Sequence, residues 1–303
     1  MEGEFLSKKK IILGIASLLI VISLILLIRL FNLKEINKSE INVEQFIKCS
    51  DEVSFNKAQV NWQQVASIIG VLNNNKFKNV SNDEIKEIAN LFLVKENDRY
   101  KVLTLDAVIK KLKFNKSQTK RVKNYINDLN NFGLIPSSLS PDGKYVKFID
   151  SIKESAIENY KKYNILPSIT IAQAILESNW GESELSSKYN NLFGIKAHSY
   201  WKGESINIET SEHYNQVIND KFRVYKSKDD SLRDHAKFLS ENSRYKNVFN
   251  KPTYIEQSKE LQDAGYSTVS DKSGNLTYKK LLDQLIQQYN LQLIDSEVQK
   301  IKG

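Results

Sequence analysis

Cysteine is almost absent from this chain. Cys49 is the single one among 303 residues, so no internal disulfide can form and an exported domain must stand on its packed core. The residues before it, QFIK, are not the small apolar run that precedes a lipidated cysteine, and an inert thiol is the reading that remains. Histidine is nearly as scarce. His198, His213 and His235 have no second ligand at metal spacing, and His235 falls on the apolar face formed by 232, 235, 236 and 239 as a core histidine would. No Ser-His-Asp arrangement and no glycine-rich phosphate loop stand out, so neither a metal nor a redox cofactor is expected.

What is present begins at the N-terminus. Residues 11 to 28, IILGIASLLIVISLILLI, carry no charge and as a helix would extend about 27 Å, close to a bilayer core. The run is longer than the apolar part of a signal peptide, and RLFNLKEINK follows it in place of a small-residue cleavage site. The expectation is an uncleaved membrane anchor over 11–31. Lys8, Lys9 and Lys10 keep residues 1–10 in the cytoplasm by the positive-inside rule and send the rest outside. The net charge of +8 suggests wall polymers or lipid headgroups as polyanionic neighbours, and not nucleic acid.

Residues 32–55 mix charge, Asn and Ser without periodicity and read as a linker. From 56 to 139 the pattern is that of a small helical spacer or interaction domain. Asn61 can cap a helix with Val65, Ile68, Ile69 and Leu72 on one face; Ser81 and Glu84 form a capping-box pair before Ile85, Ile88, Ala89 and Phe92; Val122, Tyr125, Ile126 and Leu129 follow Ser117. Gly133, Pro136, Pro141 and Gly143 cluster at a boundary near 140.

The next 155 or so residues carry the chemistry. A helix over about 148–163 precedes Pro167, expected to stop it. In the following helix Thr170 and Gln173 read as a capping box, Ile171, Ala174 and Ile175 as the buried stripe, and Gly181 as a left-handed cap. Glu177 then lies in the last turn, where the helix dipole and the neighbouring Trp180 disfavour its ionisation. A carboxylic acid kept protonated can protonate a leaving oxygen, as in glycoside cleavage. A partner carboxylate is offered by Glu212, which shares one face of a period-2 strand with Ile206, Ile208, Thr210 and Tyr214, the hairpin turning near Asn219-Asp220 and returning through KFRVY.

The string ILESNWGES, followed by NNLFGIK, WKG, TSE, FRVYKSKDDSLRDHAKFL and AGYST, resembles the N-acetylglucosaminidase domain of glycoside hydrolase family 73, over roughly 148–291. The resemblance implies a lysozyme-like α+β domain with a β-hairpin lobe across a groove for peptidoglycan strands, cleaved on the reducing side of N-acetylglucosamine. It matches Glu177 to the general acid, Glu212 to the hairpin glutamate of the T-x-E motif, and Tyr266 to a tyrosine beside the reacting sugar. Two routes stay open, water activated by Glu212 or attack by the substrate's own 2-acetamido group. Trp180, Asn190, Asn191, Phe193 and Tyr225 are the candidates for lining the groove. After AGYST the stretch VSDKSGNLTYKKLLDQLI replaces the family's short turn with a longer loop at one rim.

The expected whole is mainly α: a single transmembrane helix, a small helical domain, a glucosaminidase domain over 140–295 and a tail over 296–303. It would be an endo-acting glucosaminidase with no cofactor, anchored in the cell membrane with its catalytic domain outside, acting on peptidoglycan beside an integral-membrane partner. A muramidase or lytic transglycosylase of the same fold, or a wall-binding scaffold without activity, are the alternatives.

Overall fold

The computed structural model describes residues 17, 19–23, 34–212 and 216–301, with the backbone alone at 209–212 and 216–219. Most of the apolar run 11–28 therefore lies outside the described residues. Among the described ones no helix is long and apolar enough to cross a membrane; the helical residues 19–23 rise only about 7 Å against a core of about 30 Å. The anchored location with an external catalytic domain is corrected on that finding, and the membrane partner inferred from it loses its basis.

Among the described residues the chain is mainly helical with two small sheets. The first hydrophobic cluster runs from Ile36 to Leu129 and is built from α1 (Val43–Ser54), α2 (Trp62–Leu72), α3 (Asn82–Asn90), α4 (Leu105–Lys111) and α5 (Lys116–Asp128). Polar side chains start these helices: Asn42, Asn61, Ser81, Thr104 and Asn115 each accept a backbone N–H from the first turn. The reciprocal box forms between Asn115 and Gln118, whereas Glu84 accepts from Asn73 Nδ2 instead. α2 is buried almost all round, and at Gly70 a Cβ would come within 3.0 Å of Phe77 and 3.1 Å of Tyr125, so glycine permits the close approach of those rings.

Three features depart from the sequence reading. The stretch expected as a linker contains α1, whose Phe46, Ile47, Cys49 and Val53 are buried. The expected all-helical unit holds β1 (Leu93–Glu96) and β2 (Arg99–Leu103), paired antiparallel around Asn97 and Asp98, both at positive φ as a tight hairpin turn requires. The expected tail supplies β5 (Lys300–Ile301), which pairs parallel to β2. Glycine is sparse at 11, and asparagine takes many of the left-handed positions, among them Asn56, Asn164, Asn179, Asn190 and Asn290.

The second cluster runs from Leu139 to Leu291. Its frame is α6 (Lys144–Tyr163), α7 (Pro167–Ser178), α8 (Glu184–Tyr189), a hairpin of β3 (Ser205–Glu212) and β4 (Gln216–Arg223), then α9 (Lys228–Glu241), α10 (Tyr254–Asp263), α11 (Tyr278–Gln288) and α12 (Gln292–Val298). Pro167 opens α7 at its first turn, where a missing N–H costs nothing, so the expected Thr170–Gln173 box does not exist; both side chains are buried within the helix. The hairpin is longer than expected. Asn219 and Asp220 lie inside β4, opposite Glu209 and Ile208, and residues 213–215, His213 and Tyr214 among them, lie outside the described residues.

The two clusters are joined by buried polar contacts. Trp62 Nε1 donates to Asn290 Oδ1 at 3.2 Å, the Gln59 amide donates to Gln299 Oε1 at 2.7 Å, and Tyr254 Oη donates to Asp51 Oδ2 at 2.5 Å.

Candidate functional site

α7 is the central helix of the second cluster, buried from Pro167 to Ile175. Ser178 ends it by donating from Oγ to the Ala174 carbonyl and accepting the Gly181 N–H at 2.7 Å. The chain then passes through three consecutive left-handed residues, Asn179 (φ 49°), Trp180 (φ 62°) and Gly181 (φ 76°). A tryptophan in this region costs on the order of 1–3 kcal/mol. It is held there by its ring, which packs 4.4 Å from Tyr145 and 4.8 Å from Tyr289, with Phe148 at 6.0 Å.

This reversal leaves Glu177 exposed at the end of an otherwise buried helix. Its side chain keeps contact with solvent, yet enough protein surrounds the carboxyl that burial raises its pKa above the usual range; a hydrogen bond from Tyr278 partly offsets the rise. Solvent contact and a raised pKa hold together at Glu177: the residue is exposed, while the protein packed around its carboxyl penalises the charged form. Tyr278 Oη donates to Glu177 Oε1 at 3.0 Å and itself accepts from Gln173 Nε2, also at 3.0 Å. The phenol has one proton, and with Gln173 supplying the donor on one side that proton goes to Glu177. Oε2 is left for the acid's own proton.

Tyr266 lies beside this pair. Its ring stacks on Tyr278 at 5.4 Å and 22°, and Oη is 3.3 Å from His235 Nε2. Burial, then the charge of Glu177, keeps Tyr266 protonated well above the usual tyrosine range. His235 is fully buried and stacks on Phe193 at 3.8 Å and 6°. Burial lowers its pKa to about 3, so at neutral pH it is an uncharged imidazole. The core position expected for His235 is what the fold gives, with the added contact to Tyr266.

The other candidates fall into a supporting shell. Asn191 is buried and spends both amide hydrogens on the Ile195 and Arg223 carbonyls while accepting the Ile195 N–H. Asn190 caps α8 in a left-handed conformation and donates to the Tyr225 carbonyl. Tyr225 is buried and donates to Asp234 Oδ2 at 2.6 Å, the oxygen that also pairs with Arg223. Trp180 has Tyr145, Phe148 and Tyr289 as its ring partners; the groups against the Glu177 carboxyl and its tyrosine are Tyr278, Tyr266 and Gln173. Glu212 is the last residue of β3, in register with Gln216, and its side chain belongs to the stretch described by backbone alone.

Tyr278 escaped the sequence reading. With Leu282 and Ile286 it forms the buried face of α11, so it reads as core, and the one available hint is that a buried tyrosine hydroxyl needs a partner.

Residues 153–291 match the family described as Glucosaminidase, mannosyl-glycoprotein endo-beta-N-acetylglucosaminidase. This segment is a glucosaminidase domain, of the glycoside hydrolase class. The chain is 39% identical to the exo-glucosaminidase LytG of Bacillus subtilis, over 52% of this chain and 55% of LytG. It is 38% identical to a probable N-acetylmuramidase of Lactococcus lactis, over 49% of this chain and 34% of that protein. Among solved structures, the catalytic domain of the autolysin Auto from Listeria monocytogenes shares 38% identity over 52% of this chain and 90% of that one, at a TM-score of 0.45. The chain thus spans about half of LytG and a third of the muramidase. The glucosaminidase domain contains every candidate residue named above, Glu177 and Tyr278 included.

Proposed function

We propose that the chain hydrolyses peptidoglycan glycan strands as a β-N-acetylglucosaminidase, with Glu177 as the proton donor. The observation that carries this reading is the carboxyl of Glu177, raised in pKa by burial while still reached by solvent, within a segment that matches the glucosaminidase family. Protonated Oε2 gives its proton to the bridging oxygen as the glycosidic bond breaks, and charge builds on the ring carbon left behind. Tyr278 holds Oε1 by its hydroxyl, which fixes the direction of Oε2 and then accommodates the carboxylate formed. Tyr266, uncharged and stacked on Tyr278, borders the reacting ring and orients it. The second half-reaction runs through water activated by Glu212 or through the substrate's 2-acetamido oxygen.

Purified peptidoglycan digested by the full chain, with mass analysis of borohydride-reduced products, tests the reading. Reduced N-acetylglucosamine ends are expected, and they disappear in Glu177→Gln. An endo-acting enzyme releases oligosaccharides of mixed length early in the digest; an exo-acting one, the mode named for LytG, releases a single short product throughout. Loss of activity in Glu177→Gln with retention in Glu212→Gln favours the acetamido route. The similarity to a probable N-acetylmuramidase supports a second reading, cleavage of the alternate linkage, for which the reduced ends are muramic acid. Digestion undiminished in Glu177→Gln refutes both.

A further inference from the structure

A cavity lies beside the end of α6, before the start of α7. Its volume is about 500 Å³, and it opens between the β1–β2 hairpin, the residues after α1, the end of α6 and the stretch 249–252. It shares no residue with the cluster around Glu177. From Pro167 to Glu177 the helix rises about 15 Å, so a ligand here is far from the glycosidic chemistry.

The lining is cationic. Lys57, Lys95, Arg99, Lys101 and Lys251 face two carboxylates, Asp98 and Glu256. Glu256 is buried and its Oε2 is occupied by Thr253 Oγ1 and the Asn56 N–H. Asp98 pairs with Lys95 at 3.1 Å and Lys251 with Glu260 at 3.3 Å. Arg99 and Lys101, on one side of β2 by its period of two, have no carboxylate partner among the described residues. Lys57 lies over the Tyr100 ring at 5.8 Å, and Tyr160 and Phe249 add two more half-buried rings.

Cations gathered around one cavity repel one another, and a single carboxylate relieves only one of them. A ligand with several negative charges along a chain relieves them together, and the Arg99 fork suits a phosphate. The concavity admits a chain segment but not a flat lipid surface, and the rings offer apolar faces to polyol carbons. We propose that this cavity binds a polyol-phosphate chain. The assignment stands on the cavity alone and does not depend on the glycosidase reading.

Calorimetric titration of the full chain with a glycerol-phosphate oligomer of about six repeats tests it. Saturable binding is expected, at least tenfold weaker in Arg99→Gln/Lys101→Gln, and weakened by added salt. A charge-matched control, Lys116→Gln/Lys120→Gln on α5, should bind as the unaltered chain does, which separates a site from general basicity. Thermal melting checks that both double variants fold. Glu177→Gln should bind the oligomer normally, and Arg99→Gln/Lys101→Gln should digest purified glycan strands normally, so failure of either proposal is read apart from the other. No saturable binding, or binding unaltered in Arg99→Gln/Lys101→Gln, overturns the assignment. So does equal affinity for tripolyphosphate or for an oligonucleotide of the same charge, since either would place the selectivity in charge and not in the polyol chain.

Discussion

Replacing Asp51 by Asn should change the pH dependence of stability in a way that can be worked out from the joint between the two clusters. Asp51 accepts from Tyr254 Oη at 2.5 Å and from Gln59 Nε2 at 2.8 Å, and its side chain is enclosed. Burial raises its pKa from 3.8 to about 7, against the pull of those two hydrogen bonds and with the charge of Asp283 adding to the rise. Because the folded value is above the unfolded one, the folded state holds the extra proton between pH 4 and 7. The stability this provides is complete below pH 4 and lost as pH climbs through 7. At about 1.4 kcal/mol per pH unit, the whole loss is on the order of 4 kcal/mol. Asparagine does not ionise, so it escapes that loss. It also offers one acceptor where the carboxyl offers two, leaving Gln59 or Tyr254 without a partner at a cost of about 1–3 kcal/mol. Urea unfolding of the full chain at pH 4.5, 6, 7.5 and 9 should therefore show Asp51→Asn less stable than the unaltered protein in acid and equal or more stable in base. A difference that stays constant across this range, or that grows in favour of aspartate at high pH, refutes the reasoning.

Tyr278→Phe removes the hydrogen bond that lowers the Glu177 pKa, so Glu177 should keep its proton to higher pH and the alkaline limb of the pH–rate profile should move upward; a limb that moves downward contradicts the arrangement. Gly181→Ala puts a Cβ 2.8 Å from Phe148 at a φ of +76°, and should destabilise by at least the roughly 1–2 kcal/mol of a left-handed alanine, read by thermal melting. Trp62→Phe deletes the donor to Asn290 and should cost about 1–3 kcal/mol, with faster hydrogen exchange around Asn290 and Phe132 as the local readout.

The sequence carries α7 legibly because its signals are local. An apolar stripe at a 3.6 period precedes a left-handed turn, and these two features suffice to put Glu177 in the last turn. The start of the same helix is ambiguous in sequence because Pro167 fits two roles, stopping one helix or opening the next, and local pattern does not choose between them. Asn219-Asp220 looks like a turn, but pairing with Glu209 and Ile208 carries the strand through it. α1 was hidden for a different reason: its apolar positions are diluted by charge, and its helicity depends on packing against α3 and α2 that no local window contains. Tyr278 is separated from Glu177 by 101 positions, so nothing in either neighbourhood announces the contact. The groove candidates Asn191 and Tyr225 show the converse. Motif position drew attention to them, while their side chains are spent on holding β4 and the segment after α8.

A raised carboxyl pKa does not by itself mark a catalytic acid in this fold, because burial raises Asp51, Glu177, Asp283 and Asp295 alike. Asp295 and Glu177 even bracket the same helix. Asp295 accepts from the N–H and Oγ of Ser168 at the start of α7, where the helix dipole favours a negative charge, yet complete burial still raises it to about 7. Asp51 is similarly enclosed, and Asp283 is occupied by Lys279 and Ser258. Of the four, Glu177 is the most exposed, Asp283 being only partly so and held by its two partners, and access is what a polymer's bridging oxygen requires. Amide substitution at each should therefore divide the set. Asp51→Asn and Asp295→Asn should shift unfolding midpoints in a pH-dependent manner, with turnover at a permissive temperature little altered. Glu177→Gln should leave the midpoint within about 1 kcal/mol, as expected for an exposed surface change, and lower turnover by at least a hundredfold. An Asp295→Asn protein that melts normally but has lost hydrolysis would mean that α7 transmits more from its first turn to its last than a rigid helix should.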